Sequence, residues 1–377
     1  MSLMSLPENL SNAGCWPNLT QELLLKAVLT NDLEESINFW QEWQKLVNVQ
    51  QLDYGSQRLL PMLYNKLKTT DITHPDLKIY KGIYKQSWYK SQMMLHNILP
   101  VLQAFQENNI KAIILKGLAL AVLYYKDYGL RPMSDFDILV PTEQKSNAIK
   151  IMLSLGWEEG FSWSHSQCFT KQDQKCDLHW HLMSDICSLK TDESSEANKE
   201  FWKAIVPLQI KEISVYSLCP TDMIFHICVH GAWWNPVAPL RWIVDVMMIL
   251  KEPVVIDWSR LVNQAYKLQL GLLVRNALNY LKNNFAAPIP DEVLKKLDDY
   301  KPSYNEQLDY LTKTSPTNKR NPLAAFWVCY REYRQYTIGN NVKPNFLGFV
   351  KFLRDRWGIE KLSEIPLHSI KEIWQRL

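Results

Sequence analysis

Residues 110–140 contain two short apolar runs separated by a longer, mostly apolar segment, and this arrangement strongly constrains the fold. The first run ends just before Lys116, and the second follows an Asp-Phe-Asp triplet at residues 135–137. Apolar runs of four or five residues bounded by Gly, Pro, Ser or Asp are typical of buried strands, because helices need greater length and a 3.6-residue period. The stretch therefore predicts strand, turn, helix, turn and strand.

The Asp-Phe-Asp triplet places two carboxylates on one face of the second predicted strand. Successive side chains of a strand point to opposite faces, so Asp135 and Asp137 share a face while Phe136 occupies the other. Two converging carboxylates repel each other unless a cation lies between them, and hard divalent ions such as Mg²⁺ prefer oxygen ligands. The pair predicts a Mg²⁺ site, with two solvated turn acids as the alternative.

The turn at Lys116 and Gly117 adds a second signal, because it lies between a predicted strand and a predicted helix. A glycine at such a turn lets backbone N–H groups approach a phosphate, and the N-terminus of the following helix contributes a favourable dipole. Together with the acidic pair downstream, this turn predicts a site for a magnesium-bound triphosphate.

The segments LKGLALAVLYY and GLRPMSDFDILV resemble the uncharacterised nucleotidyltransferase family of the DNA polymerase beta-like superfamily, and LRWIVDVMMIL at residues 240–250 resembles a second region of that family. The likeness extends over residues 90–260. It implies an α+β fold with a small mixed β-sheet nucleotidyltransferase core between helical domains. It also implies transfer of a nucleoside monophosphate, with AMP favoured, from a Mg²⁺-bound NTP to an acceptor hydroxyl, with release of pyrophosphate.

A predicted hairpin downstream supplies the third acid that the resemblance implies. Residues 164–170 and 175–181 have the pattern of two strands joined by a short turn. Alternation places Asp177, His179 and His181 on the same face of the second strand. The resemblance assigns Asp177 to the metal site, around two Mg²⁺ ions. The expected catalytic and metal-binding set is therefore Asp135, Asp137 and Asp177.

Residues near the acidic pair are predicted to bind the nucleotide. Lys116 and Arg131 are the nearest cations that can neutralise triphosphate oxygens, and the guanidinium has a planar fork suited to phosphate. The alternative for both is a salt bridge with Asp127 or Asp135. Gly117, in the glycine turn, and Ser134, just before the first acid, complete the predicted nucleotide-binding set.

Further candidates for binding the nucleotide or the acceptor lie on later predicted helices. His226 and His230 share one helix face, but an isoleucine occupies the position of the catalytic glutamate of an HExxH metalloprotease, which argues against that class. Arg241 and Asp245 are also four residues apart, which is equally typical of an ion pair. With His179, the residues His230, Arg241 and Asp245 are substrate-binding candidates. Zinc is disfavoured because no four-ligand cluster is evident.

Composition limits the partners and the compartment. Hydrophobic residues make up 47% of the 377 residues and charged residues 21%, as in an ordinary globular protein. A net charge of +3 without a basic stripe slightly disfavours nucleic acid. The expected acceptor is a small molecule, such as a metabolite or an antibiotic-like hydroxyl compound, with a protein or an RNA end as the alternatives. The seven cysteines form no CxxC pair, which predicts reduced thiols in the cytoplasm. We expect neither a signal peptide nor a membrane span, because no basic n-region and no sufficiently long apolar run is present.

Changes in hydrophobic period divide the chain into three expected domains. Residues 1–100 have helical spacing, residues 101–215 contain the strand patterns of the nucleotidyltransferase-like core, and residues 216–377 return to helical spacing. In the first domain a long helix is expected to be interrupted before Pro100. In the third, one continuous helix is expected over residues 258–285.

Two classes of function fit these features. The favoured class is a metal-dependent nucleotidyltransferase that uses two Mg²⁺ ions to stabilise the attacking and leaving oxygens, with Asp177 as a general base. The alternative is a non-catalytic nucleotide-binding or partner-docking module that retains the fold. The presence of all three acids favours the enzyme, because a protein that had lost catalytic activity would be expected to lack a metal ligand.

Overall fold

The computed structural model describes residues 15–186, 191–235, 237–315, 322–339, 342–357 and residue 361. The expectations for the first ten residues and for a helical period reaching residue 377 lie outside these ranges. Within them, no helix has both the length and the apolar character that crossing a membrane requires.

Helices precede, interrupt and follow a group of strands along the chain. The N-terminal helices are α1 (Leu19–Leu29), α2 (Leu33–Leu46), α3 (Tyr54–Gln57), α4 (Leu60–Leu67) and α5 (Asp76–Glu107). Three helices lie among the strands in sequence: α6 (Lys116–Leu120), α7 (Lys145–Ser154) and α8 (Thr191–Lys203). The C-terminal helices are α9 (Pro220–Gly231), α10 (Arg241–Lys251), α11 (Trp258–Lys267), α12 (Gly271–Phe285), α13 (Asp291–Asp298), α14 (Tyr304–Thr314), α15 (Pro322–Gly339) and α16 (Phe346–Trp357).

One mixed sheet contains seven strands in the order β3-β4-β5-β2-β1-β7-β6. The strands are β1 (Ile113–Leu115), β2 (Phe136–Leu139), β3 (Glu158–Ser162), β4 (Ser166–Lys171), β5 (Gln174–His179), β6 (Val206–Ile210) and β7 (Ile213–Ser217). Strand β2 pairs with β1 antiparallel and with β5 parallel, and β1 pairs with β7 parallel. The remaining pairs are antiparallel. This mixed sheet between helical regions confirms the predicted fold class.

The two apolar runs that define the sequence pattern become the centre of the sheet. Every residue of β1 and β2 is buried, which fits strands covered on both faces. A single hydrophobic core contains residues of the sheet and of the helices that precede and follow it in the chain, from Leu24 of α1 to Tyr310 of α14. The expected division into three domains stays a prediction, and its boundary at residue 215 falls inside β7.

Two helix predictions are wrong for identifiable reasons. Helix α5 continues through Pro100, whose exposed position lies beside the fully buried Ile98, Val101 and Leu102. Burial of such side chains provides about 1.5–3 kcal/mol each, which offsets the roughly 3 kcal/mol cost of an internal proline. The continuous helix expected over residues 258–285 is two helices, α11 and α12, because the chain adopts a positive φ of 55° at Gln269.

Gly231 at the end of α9 permits the close approach of α10. A Cβ built on Gly231 would lie 2.2 Å from Cβ of Trp242. We expect Gly231→Ala to lower the free energy of unfolding by about 1–3 kcal/mol, as overpacking typically does, measured by urea denaturation. The matched control is Gly82→Ala in α5, where no atom lies within 4 Å of the added Cβ and a small gain of about 0.5–1 kcal/mol is expected. Equal stability of the two variants would contradict the close contact.

Candidate active site

The parallel pairing of β2 with β5 places two acids side by side. Asp137 and Asp177 are partners in this register, so their side chains point to the same face of the sheet. His179 follows two positions after Asp177 and shares that face. The carboxylate oxygens of Asp137 and Asp177 and a ring nitrogen of His179 lie within 4.8 Å of one another. The sheet register thus creates a group of two carboxylates and one imidazole, here called the acid–histidine group.

Asp137 is in contact with both Lys116 and His179. Its Oδ1 atom lies 3.3 Å from Nζ of Lys116 and 3.2 Å from Nε2 of His179, and the residue is only 9% exposed. Burial would raise the pKa of the carboxyl, but Lys116 and His179 outweigh it and hold the pKa well below its usual value. Asp137 therefore stays ionised at neutral pH.

Asp177 experiences the opposite electrostatic environment. Its side chain is partly buried, and burial followed by the negative charge of Asp137 raises its pKa above the usual range. Two adjacent carboxylates with opposite pKa shifts are typical of sites where a cation or a transferred proton is to be held. The pair can therefore bind a positive charge more readily than either acid alone.

Asp135 lies just before β2, at the edge of the acid–histidine group. Its side chain is partly exposed and accepts a hydrogen bond of 3.2 Å from Oγ of Ser134. Its charge helps to raise the pKa of Asp177, but Asp135 is not among the residues whose ligand atoms cluster within 4.8 Å. A metal-binding role for Asp135 stays a prediction.

The junction between β1 and α6 positions the ammonium of Lys116. Lys116 has a positive φ of 40°, a conformation that is uncommon for residues other than glycine and is frequent at functional sites. Gly117 belongs to the first turn of α6, and a Cβ at this residue would lie 3.1 Å from both Nη1 of Arg131 and Sδ of Met133. The glycine therefore makes room for the loop that leads to β2.

Arg131 forms a buried ion pair with Asp245. Its Nε and Nη2 atoms donate hydrogen bonds of 2.8 and 2.7 Å to the two carboxylate oxygens of Asp245, and both side chains are 5% exposed. Tyr125 donates a further hydrogen bond of 2.7 Å to Oδ1 of Asp245. Burial would raise the pKa of Asp245, but the Arg131 guanidinium holds it below its usual value. Arg131 thus forms a salt bridge, the alternative to its predicted nucleotide binding, with a residue 114 positions away.

Arg241, in contrast, donates from Nη1 to the backbone oxygen of Pro132 at 2.7 Å. The bidentate partner of Asp245 is therefore Arg131 and not the arginine four residues before it on α10.

Four imidazoles surround the acidic pair. The rings of His165 and His179 are 5.5 Å apart, and those of His226 and His230 are 6.1 Å apart and stacked. Burial lowers the pKa of His165 to about 3, and the charge of Lys116 lowers that of His230 to about 3. Both rings are therefore neutral at neutral pH, with nitrogen lone pairs available to accept hydrogen bonds.

Three of these rings contain a buried Nδ1 atom without a hydrogen-bond partner in the part of the chain that the structure describes: His165, His179 and His226. Unsatisfied buried polar atoms are rare in proteins and call for an explanation such as a bound ion or a catalytic role. His165 was not predicted as a site residue, although it lies in the first strand of the predicted hairpin. His226 was predicted only as half of a protease motif.

Two surface cavities lie elsewhere in the protein. One of about 650 Å³ is lined by residues of α11, of α13 and of the segment that follows α13, including Tyr266, Lys296 and Tyr300. The other, of about 350 Å³, is lined by residues of α8 and α11, including Phe201 and Arg260. No member of the acid–histidine group lines either cavity.

Solved structures with detectable similarity include an antibiotic-resistance factor and a nucleotidyltransferase-like protein. The antibiotic-resistance factor ANT(2'')-Ia is 17% identical, and the similarity covers 52% of this chain and 95% of that protein with a TM-score of 0.33. An antigenic nucleotidyltransferase-like protein from Paracoccidioides brasiliensis is 16% identical, with coverages of 54% and 92% and a TM-score of 0.36. No curated protein sequence matches the chain.

The family comparison covers most of the region described above. The model of the family described as uncharacterised nucleotidyltransferase matches residues 41–286. This span is more than half of the chain and includes all seven strands, the acid–histidine group and helices α9 and α10. The chain therefore belongs to the uncharacterised nucleotidyltransferase family.

Proposed function

We propose that this protein transfers a nucleoside monophosphate, with AMP favoured, from a metal-bound NTP to a hydroxyl or similar group of a small molecule. The observation that supports this most directly is the acid–histidine group, in which Asp137, Asp177 and His179 converge beside Lys116. The oxygen of the acceptor forms a bond to the α-phosphorus, the bond from that phosphorus to the bridging oxygen breaks, and pyrophosphate leaves.

The acid–histidine group fits a divalent cation. Two carboxylates supply the oxygen ligands that Mg²⁺ prefers, and the imidazole of His179 supplies one nitrogen. The buried Nδ1 atom of His179, which has no hydrogen-bond partner among the described residues, further supports a bound ion. A bound divalent ion supplies charge neutralisation at the α-phosphate and lowers the pKa of a coordinated hydroxyl. Asp137, Asp177 and His179 would hold one Mg²⁺ ion, and Asp135 together with Asp137 would hold a second.

Residues of the chain would accept the proton, bind the phosphates and position the loop before β2. Asp177, whose pKa is raised, accepts the proton of the attacking hydroxyl. Lys116, whose ammonium lies beside Asp137, would neutralise triphosphate oxygens. The backbone N–H of Gly117 and the hydroxyl of Ser134 donate to phosphate oxygens. Arg131 acts with Asp245, and its buried ion pair holds the loop before β2 in place.

The acceptor is proposed to be a small molecule that binds near His230. This side chain is exposed to solvent and is close enough to Lys116 for the ammonium to dominate its pKa. A net charge of +3 slightly disfavours nucleic acid as the acceptor.

The proposal is tested by incubating the protein with each α-³²P-labelled NTP, Mg²⁺ and a metabolite extract. We expect release of pyrophosphate and transfer of the label to a new small molecule, with ATP the preferred donor. Asp177→Asn is expected to retain NTP binding but to lose turnover. Metal-independent NTP binding without turnover by the unmodified protein would instead identify the alternative, a non-catalytic nucleotide-binding or partner-docking module.

His179 provides a test of the metal site that does not depend on activity. We expect His179→Asn to weaken Mn²⁺ binding by about tenfold or more, since even groups behind metal ligands contribute 10–100-fold to affinity. Binding is measured by electron paramagnetic resonance without nucleotide. His181→Asn, two positions further along the chain and outside the acid–histidine group, is the control and should bind Mn²⁺ as the unmodified protein does. Equal affinities of the two variants would exclude His179 as a ligand.

A further inference from the structure

Arg58 and Arg241 converge on a single backbone carbonyl. Arg58 follows α3, and its Nη2 donates to the oxygen of Pro132 at 3.3 Å. Arg241 is the first residue of α10, and its Nη1 donates to the same oxygen at 2.7 Å. Two guanidinium groups from distant parts of the chain therefore lie side by side against the loop that leads to Asp135.

A close contact between α3 and the segment before α10 holds the two arginines together. A Cβ on Gly55 would lie 2.8 Å from the backbone oxygen of Ala238, so that only glycine fits there without displacement. The Arg58 guanidinium also stacks on the ring of Tyr54, at 4.8 Å from its centroid. The position of Arg58 is thus determined by packing and not by a carboxylate partner.

The arginine pair has an excess of positive charge. The nearby carboxylate of Asp245 is occupied by the bidentate hydrogen bonds of Arg131. Burial, followed by the charges of Arg131 and Arg58, lowers the pKa of Arg241 to about 9, and burial also lowers the pKa of Arg58. Nε of Arg58 is buried without a hydrogen-bond partner among the described residues. Such mutually repelling cations are costly to the fold unless an anion binds between them.

The same pair lies beside the acid–histidine group. Pro132 precedes Asp135 by three residues, and the charge of Asp135 opposes the lowering of both arginine pKa values. Arg131, in the same loop, lies against Gly117 at the start of α6. The loop that both arginines contact therefore leads into β2, which carries Asp137.

We propose that Arg58 and Arg241 form a polyphosphate-binding site that holds the β- and γ-phosphates of the NTP and then the pyrophosphate leaving group. This inference rests on the proposed function. The planar fork of a guanidinium matches phosphate oxygens, and two such groups suit a polyanion better than a single phosphate. It follows that the N-terminal helical region contributes directly to the active site, through the turn that carries Arg58.

The test is calorimetric binding of inorganic tripolyphosphate to the full chain in EDTA, which removes any contribution of metal. Arg58→Gln and Arg241→Gln are each expected to weaken binding about tenfold or more, as loss of a charge-assisted hydrogen-bond partner predicts. The control is Arg275→Gln on α12, which removes the same charge at a remote position near Asp298 and should leave affinity unchanged. Arg58→Lys, which retains the charge but not the fork, is expected to bind with intermediate affinity.

A further variant separates this inference from the proposed function. Asp177→Asn is expected to bind tripolyphosphate as tightly as the unmodified protein, or more tightly, even though it loses turnover. Normal affinity in Arg58→Gln, or no measurable binding by the unmodified protein, would overturn the polyphosphate site. Loss of binding in Arg58→Gln by a protein that shows no transferase activity would support the site and refute only the proposed reaction.

Discussion

Asp137→Asn is expected to reduce the rate of nucleotidyl transfer by roughly 10³-fold or more. The amide removes the negative charge that lies beside Asp177, Lys116 and His179, and with it the principal ligand of the proposed metal site. Metal-assisted charge stabilisation contributes several kcal/mol to such reactions, and each 1.36 kcal/mol corresponds to a factor of ten. The measurement is pyrophosphate release at saturating NTP and Mg²⁺.

The control for this prediction is Asp173→Asn, in the turn between β4 and β5. Its carboxylate is exposed and lies in the same hairpin as Asp177, but outside the acid–histidine group. This variant should have normal activity. Circular dichroism melting should show that both variants are folded, because substitution of Asn for Asp conserves side-chain volume. Full activity of a folded Asp137→Asn protein would rule out the proposed site.

Asp245→Ala is expected to lower the free energy of unfolding by about 3–5 kcal/mol, because it leaves the charge of Arg131 buried without a partner. The two side chains are 5% exposed and joined by two short hydrogen bonds. The double variant Arg131→Met/Asp245→Leu removes both charges and should recover much of the loss, as apolar replacements of buried ion pairs often do. Urea denaturation at pH 7 measures both effects.

The pH dependence of the stability difference between the unmodified protein and Asp245→Ala provides an independent check. The pKa of Asp245 is lowered in the folded protein, so its stabilising contribution is fully present above the unfolded-state pKa of about 3.9. The contribution is lost as the pH falls through the lower folded-state value. The stability gap between the unmodified protein and Asp245→Ala should therefore narrow below about pH 4. A gap that is constant from pH 7 to pH 3 would show that lost packing, and not charge, accounts for the destabilisation.

Local patterns predicted the central part of the fold and half of the site. The apolar runs at residues 112–115 and 138–140 correspond to β1 and β2, and the predicted hairpin corresponds to β4 and β5. Alternation along β5 correctly placed Asp177 and His179 on one face. These predictions succeed because strand geometry repeats every two residues, so neighbours in sequence determine which side chains share a face.

Other features escaped prediction because they depend on contacts between distant residues. Nothing in the sequence near Arg131 indicates that its partner is Asp245, 114 residues later. The hairpin of β6 and β7 was missed although it is local, and only its attachment to the sheet, through pairing of β7 with β1, spans about a hundred residues. Helix α5 continues through Pro100 because the buried residues around it stabilise the helix more than the proline destabilises it.

The sequence alone determined where the central strands lie along the chain, the acidic character of the site and the family resemblance. It could do so because periodicity and short motifs are local properties. Only the tertiary structure decided that His179 joins Asp137 and Asp177, and that Arg58 reaches the same region from the N-terminal helices. Strand register and helix packing bring together residues that are far apart in the chain, and their energies depend on burial and shape, which no local pattern encodes.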